Sequence, residues 1–444
     1  MSETFFQMRN SNFLFTAFLL GFLAMGCKSL QPLEKEPLVR EILRSSVEKN
    51  GVLEGILLLN AQTGDTLFSK NAERLFTPAS TTKLFTLYSG MKVLPAKLPV
   101  FKYRFQDDRI ILRPTGDPTQ LHPHFKDSTA YYFLKSVPPV ELDFSTFEEN
   151  PWGPGWAWED YPYYFSPDRS AFPLHGNVLQ IHQIDSLLQV QPKGLAKSIE
   201  RSEERRPRRD RFANRFHFTS KPIQDTLIVP FITSDSLTIR LFQEAYGVQM
   251  AQKQDSTAAD DEAFRTLSGM SSDSLYKYML SESDNFLAEQ IMLMVSSQLT
   301  DTLSFTRSRD SVIGQHLPFL KGKARWVDGS GLSRYNLQSP SNLVNTLRML
   351  RQDFPESRLR DLLPAYSFQA AGVNQWELDS SKKEEASVFA KSGYVGNNYN
   401  LAGFLYTKKG EVLVFSVMQN HYLQPTAAIR RRVASLLYQA YLKF

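Results

Sequence analysis

Apolar residues are massed at the start of the chain and alternate with polar ones after it. Phe13–Met25 is an apolar run of 13 residues, shorter than the roughly 20 a helix needs to span a bilayer. Residues 36–49 then predict a helix. Ile56–Asn60 and Thr66–Ser69 flank Gln62-Thr63-Gly64-Asp65, the signature of a hairpin with a glycine free to take positive φ. Thr77-Pro78-Ala79-Ser80 predicts a helix running to Ser89, with Thr77 as N-cap and Pro78 at the first helical position. Late in the chain, Ala386–Gly393, Asn400–Thr407 and Val412–Asn420 read as three strands. The last two are joined across Lys408-Lys409-Gly410-Glu411, and an amphipathic helix follows over Thr426–Tyr441.

Between these outer blocks the character changes. From about 90 to 263 the chain is rich in strand and turn signals, holds the aromatic cluster Trp152–Tyr164, and carries the basic segment Arg201–Arg211. The polar stretch Gln252–Glu262 separates it from a helical segment beginning near Asp273. The expectation is an α+β protein: a discontinuous domain of 28–89 plus 264–444, interrupted by a mainly β inserted module over 90–263. The aromatic cluster is expected to serve packing, and the basic segment to be a solvated loop or hairpin.

Composition narrows the function class. The 444 residues carry a net charge of +5, too mild to demand a nucleic-acid partner. The single cysteine, Cys27, excludes disulfides within the chain and multi-cysteine zinc sites. It follows the apolar run directly, so residues 1–26 predict an export signal. Leu23-Ala24-Met25-Gly26-Cys27 is similar to a bacterial lipobox, which makes Cys27 the expected lipidation site and membrane anchor. His122-Pro123-His124, with proline between the imidazoles, does not suggest a metal site.

The candidate chemistry lies in three short motifs. Ser80-Thr81-Thr82-Lys83 would place a hydroxyl and an amine on one helix face, where a neutral lysine can activate a serine. The spacing alone is common in this chain; only Ser80 follows a Thr-Pro helix start. Ser283-Asp284-Asn285 precedes the helical run Phe286–Ser297. It reads either as an N-cap or as a hydroxyl and amide facing a substrate. Lys391-Ser392-Gly393 lies in a predicted strand, as a carboxylate-binding cation with a close backbone approach or as a solubilising edge lysine.

Taken together and in this order, the three motifs are the set found in penicillin-binding proteins and serine β-lactamases. The chain resembles the low-molecular-mass class C penicillin-binding proteins, the DacB-like D-alanyl-D-alanine carboxypeptidase/endopeptidase family. Further likeness lies in Gly116–Thr119, Trp156–Asp160, Ser170–Asn177, Asp284–Glu289, Asp328–Arg334 and Asn400–Gly403. The gap of roughly 200 positions between Ser80 and Ser283 fits this group and leaves room for an inserted module.

The resemblance implies a penicillin-binding protein fold acting on peptidoglycan stem peptides or cross-links in the periplasm, without metal or organic cofactor, and acylated by β-lactams. It implies Ser80 as nucleophile, Lys83 as base, Ser283 as proton relay and Asn285 as holder of the acyl group. Lys391, Ser392, Gly393 and Tyr394 would bind substrate, with the N–H groups of Ser80 and Tyr394 facing the oxyanion. Tyr394 stands where the family usually has a small hydroxyl residue, which leaves carboxypeptidase and endopeptidase action both open. A non-catalytic envelope protein binding muropeptide or a partner, and a β-lactamase, are the alternatives.

Overall fold

The computed structural model describes residues 51–184, 187–203, 207–219, 225–254, 263–373 and 375–444. The export signal, Cys27 and the helix expected over 36–49 lie outside the described residues.

The hairpin expected near the start is present, as β1 (Leu53–Asn60) and β2 (Thr66–Lys70). The late block adds β3 (Ala365–Gly372), β4 (Gln375–Asp379), β5 (Val388–Val395), β6 (Asn398–Tyr406) and β7 (Val412–Asn420). These seven strands make one sheet, in the order β4-β3-β5-β6-β7-β1-β2. The early hairpin joins the late strands through β1, which runs antiparallel to β7, with Leu53 opposite Asn420 and Asn60 opposite Leu413. All nine residues of β7 are buried, so this strand has both faces covered.

Helices α1 (Lys83–Val93), α2 (Asn285–Thr300), α3 (Pro340–Asp353) and α4 (Thr426–Lys443) belong to the same part of the fold. Leu84, Leu87, Phe286, Ile291, Leu343 and Leu347 pack with Leu57, Phe404 and Val414 in one apolar core. Helix α2 is buried all round from Phe286 to Ser297, which explains a sequence without a polar stripe. Asp284 caps it, its carboxylate accepting the Leu287 N–H at 2.9 Å.

A second core forms around a five-stranded sheet drawn from Lys97–Gln106, Arg109–Pro114, Val140–Leu142, Met250–Gln252 and Arg265–Ser271. The last of these strands begins beyond residue 263 and pairs with Lys97–Gln106, so this sheet extends past the boundary expected from sequence. Two three-stranded sheets complete the region. Its aromatic cluster divides: Trp156 is buried, whereas Trp158 and Tyr164 are exposed. Arg209 departs from the solvated segment expected there. It is buried, its Nε donating to the Pro230 carbonyl and its guanidinium lying over Tyr161. Among the described residues, no helix is long and apolar enough to cross a membrane.

Candidate active site

Ser80 sits on a tight 3-10 turn, Ala79–Thr82, that leads into α1. The helix start differs from expectation. Thr77 is not the cap: Pro78 precedes the turn, and no side chain caps it. The Thr77 N–H donates to Asn420 Oδ1 at 2.7 Å and its carbonyl accepts from Asn400 Nδ2 at 3.0 Å. Asn400 Nδ2 also donates to the Pro78 carbonyl at 2.9 Å, and Asn420 Nδ2 to Asn400 Oδ1 at 3.1 Å. Two asparagines on the neighbouring strands β6 and β7 thus hold the segment that a side-chain cap was expected to hold. The backbone then enters the turn through Ala79 at φ +49°. Helix α1 continues past Ser89 to Val93.

Lys83 is completely buried one turn behind the serine. Its Nζ lies 3.2 Å from Ser80 Oγ, 2.7 Å from Asn285 Oδ1 and 2.8 Å from the Ser330 carbonyl. Burial lowers the amine to about 8, against the opposing pull of Asp284, Asp328 and Glu289. A lysine with these properties loses its proton near neutral pH while aimed at a hydroxyl.

Asn285 is the first residue of α2, and its amide is engaged at both ends: Oδ1 accepts from Lys83, and Nδ2 donates to the Phe165 carbonyl at 3.0 Å. An acyl group that takes up the Nδ2 donor therefore replaces Phe165. Ser283, at φ +56°, precedes the Asp284 cap. Ser80, Ser283, Asn285 and Tyr394 line one cavity of about 780 Å³. Asp160, Tyr164 and Phe165 line it from the chain segment of the second core, and Arg334 and Leu332 from the loop after Asp328.

Strand β5 brings the third motif. Its pairing with β3 is confined to Phe389 and Val388, so Lys391–Val395 runs beyond that neighbour. Gly393 packs directly on the nucleophile's turn: a Cβ there would lie 2.6 Å from the Pro78 carbonyl and 2.9 Å from the Ser80 nitrogen. Lys391 is not a solvated edge lysine. It is buried, donates to the Ser392 carbonyl at 2.9 Å, and is held well below its usual range by burial and by Lys83. Ser392 contributes a hydrogen bond with Tyr366, and Tyr394 stands half-exposed at the cavity.

Asp328–Arg334, which the sequence offers as a turn supporting the site, lies against it, whereas Glu289 had no role assigned from sequence. The Ser330 carbonyl touches Lys83, and Gly331 at φ +84° lies so close to the Ala79 carbonyl that a Cβ would overlap it. Asp328, in the same loop, accepts from the Trp156 indole at 2.9 Å and from the Gly331 N–H at 2.8 Å. Glu289 accepts from the Ser330 N–H at 2.8 Å. A loop acting through its carbonyl leaves no mark in a side-chain pattern. Among the described residues, no group of three or more His, Cys, Asp or Glu is disposed to hold a metal ion.

Known proteins are similar to the chain in sequence and in fold. D-alanyl-D-alanine carboxypeptidase DacB of Haemophilus influenzae is 29% identical over 151 residues, covering 33% of this chain and 31% of that relative's length. The structure of penicillin binding protein 4 (dacB) from H. influenzae matches with TM-score 0.67 at 20% identity, over 91% of this chain and 98% of that one. The same protein complexed with a novel β-lactam matches with TM-score 0.63 at 18% identity, over the same shares. At that identity the likeness is one of fold. The model of the D-Ala-D-Ala carboxypeptidase 3 (S13) family, however, matches residues 39–200 and 224–439, which take in both cores and all three motifs. The chain belongs to that family.

Proposed function

We propose that the protein is a serine D,D-peptidase that hydrolyses D-alanyl bonds of peptidoglycan stem peptides or their cross-links. The observation that carries this reading is the buried Lys83 amine, 3.2 Å from Ser80 Oγ and fixed by Asn285 and Ser330. Neutral Lys83 takes the Ser80 proton as Oγ attacks the carbonyl carbon. The oxyanion lies against the N–H groups of Ser80 and Tyr394, where fixed donors stabilise developing charge. Ser283 relays a proton to the leaving amine, and water then releases the acyl group from Ser80. Lys391, Ser392 and Gly393 hold the substrate along β5, whose far half lies free of β3. A β-lactam acylates the same oxygen.

Other parts of the reading rest on sequence. Residues 28–89 and 264–444 are read as the catalytic domain and 90–263 as an inserted module. The second core's use of Arg265–Ser271 supports a boundary somewhat later than 263. Residues 1–26 are read as an export signal, placing the protein in the periplasm, anchored through a lipid on Cys27.

The test is labelling with a fluorescent penicillin, with Ser80→Ala as control. Covalent label on the unaltered protein and none on the variant is the expected result. Label that does not depend on Ser80, or no label at all, would sink the reading in favour of a binding scaffold; rapid loss of label would point to a β-lactamase. Mass analysis of products from monomeric and cross-linked muropeptides separates carboxypeptidase from endopeptidase action.

A further inference from the structure

Residues of three stretches that carry the likeness to a family, Trp156–Asp160, Asp284–Glu289 and Asp328–Arg334, meet behind Lys83 in one buried polar network. Glu289 is at its centre. One carboxylate oxygen accepts the Ser330 N–H at 2.8 Å, and the carbonyl of that same residue accepts the Lys83 amine at 2.8 Å. The other oxygen lies 3.6 Å from Arg169 Nη1, and neither atom has a hydrogen-bond partner. Arg169 is fixed by Nε to the Asn150 carbonyl and by Nη2 to Glu149, with its guanidinium near the Trp156 ring. Glu289 and Arg169 are each 1% exposed.

A neutral glutamine would satisfy the Ser330 N–H equally well. Burying a carboxylate and a guanidinium without full hydrogen bonding is a costly way to stabilise a fold. The charge therefore asks for another explanation, and one residue of backbone, Ser330, links it to the Lys83 amine.

We propose that Glu289, held by Arg169, is a positioning residue for Lys83: it fixes the Ser330 carbonyl that aims the amine at Ser80, and its charge favours the protonated amine. The inference rests on the serine mechanism above. The charged groups facing Lys83 are Asp284 beside it on α2, Asp328 on the adjoining loop, and Glu289 one turn further along α2, all favouring the ammonium. Lys391 on β5 is the opposing neighbour. Glu289 itself is pushed up to about 7 by burial and by Asp328, with Arg169 opposing. Removing its charge lowers the Lys83 amine further.

The experiment measures the second-order rate of acylation by a fluorescent penicillin from about pH 6 to about pH 9. For Glu289→Gln, which keeps an acceptor for the Ser330 N–H, the expected result is a plateau within about threefold of the unaltered protein, reached at lower pH, with the two profiles parting above about pH 7, where Glu289 is ionised. For Glu289→Ala, which orphans that N–H, a plateau about tenfold lower or more is expected. Should Glu289→Ala fail to fold, the near-isosteric Glu289→Gln profile decides alone. A purely structural carboxylate would lower the melting temperature and leave the profile in place. Superimposed profiles for the unaltered protein and Glu289→Gln overturn the inference while the serine mechanism stands. An unaltered protein without Ser80-dependent label overturns both.

Discussion

Lys83 is the residue on which the chemistry turns, and its environment fixes a pH dependence. Its amine, lowered to about 8 chiefly by burial, is a base only when neutral. Acylation should therefore rise about tenfold between pH 6 and pH 7 and level off above about 8, as the neutral fraction does. Lys83→Met retains the buried stem and removes the base, and its acylation should fall by about 10²–10⁴ with the fold intact. A flat pH profile, or a Lys83→Met protein labelled at the normal rate, contradicts the assignment. The Ser80–Lys83 pair was legible in the sequence because residues three apart on a helical turn are neighbours whatever the rest of the chain does. The Ser330 carbonyl and the Asn400–Asn420 clasp on Thr77 were not. Their contacts join positions hundreds of residues apart, and one of them is made by backbone, which every residue carries.

Strands and helices show a different balance. The hairpin and the three late strands follow short apolar runs bounded by turn residues, several of them buried on both faces, and α4 follows an apolar face at helical period. The expected Thr77 cap fails because capping chemistry is local whereas Asn420 reaches in from the sheet. Lys391 was readable as an edge lysine until Gly393 was seen to bring β5 against the Ser80 turn. That contact carries its own prediction. Gly393→Ala inserts a methyl among three backbone groups that cannot retreat like side-chain ends, the nearest 2.6 Å away. It should cost about 1–3 kcal/mol of stability and lower acylation by about tenfold or more as strand and turn part. Gly314→Ala, in the helix Phe305–Gln315 with open space around it, is the control: it should leave acylation within error and keep or raise stability, by up to about 1 kcal/mol. Equal behaviour of the two variants would remove Gly393 from the site.

On the scale of the whole molecule, the region between the outer blocks is joined to α2 by buried polar contacts. Gln290 donates to the carbonyls of Gly116 and Ser170, and accepts the Ser170 N–H at 3.2 Å. Those partners explain why α2 can bury Gln290, a fact no periodicity could announce. The same region holds an acid-sensitive group. Burial lowers His122 and His175 to about 4, with His124 and His175 adding to the effect at His122. An unfolded imidazole binds its proton near 6.5, so the unfolded chain gains protons first, and stability is lost as the pH falls from 6.5 through 4. Asp117 works in the opposite sense: raised by burial to about 6, it protonates in the fold before it does in the unfolded chain, and returns stability as the pH falls from 6 towards 3.8. Each imidazole contributes about 3 kcal/mol, and two raised carboxyls, Asp117 and Glu289 at about 7, offset them by similar amounts. Urea unfolding of the unaltered protein at about pH 7.5 and about pH 4.5 gives the balance of these groups. In His175→Asn, whose asparagine suits the φ of +55° at that position, the overall stability falls but the balance shifts by about 3 kcal/mol in favour of the lower pH. An unshifted balance in that variant would mean that the buried imidazole does not govern the acid response.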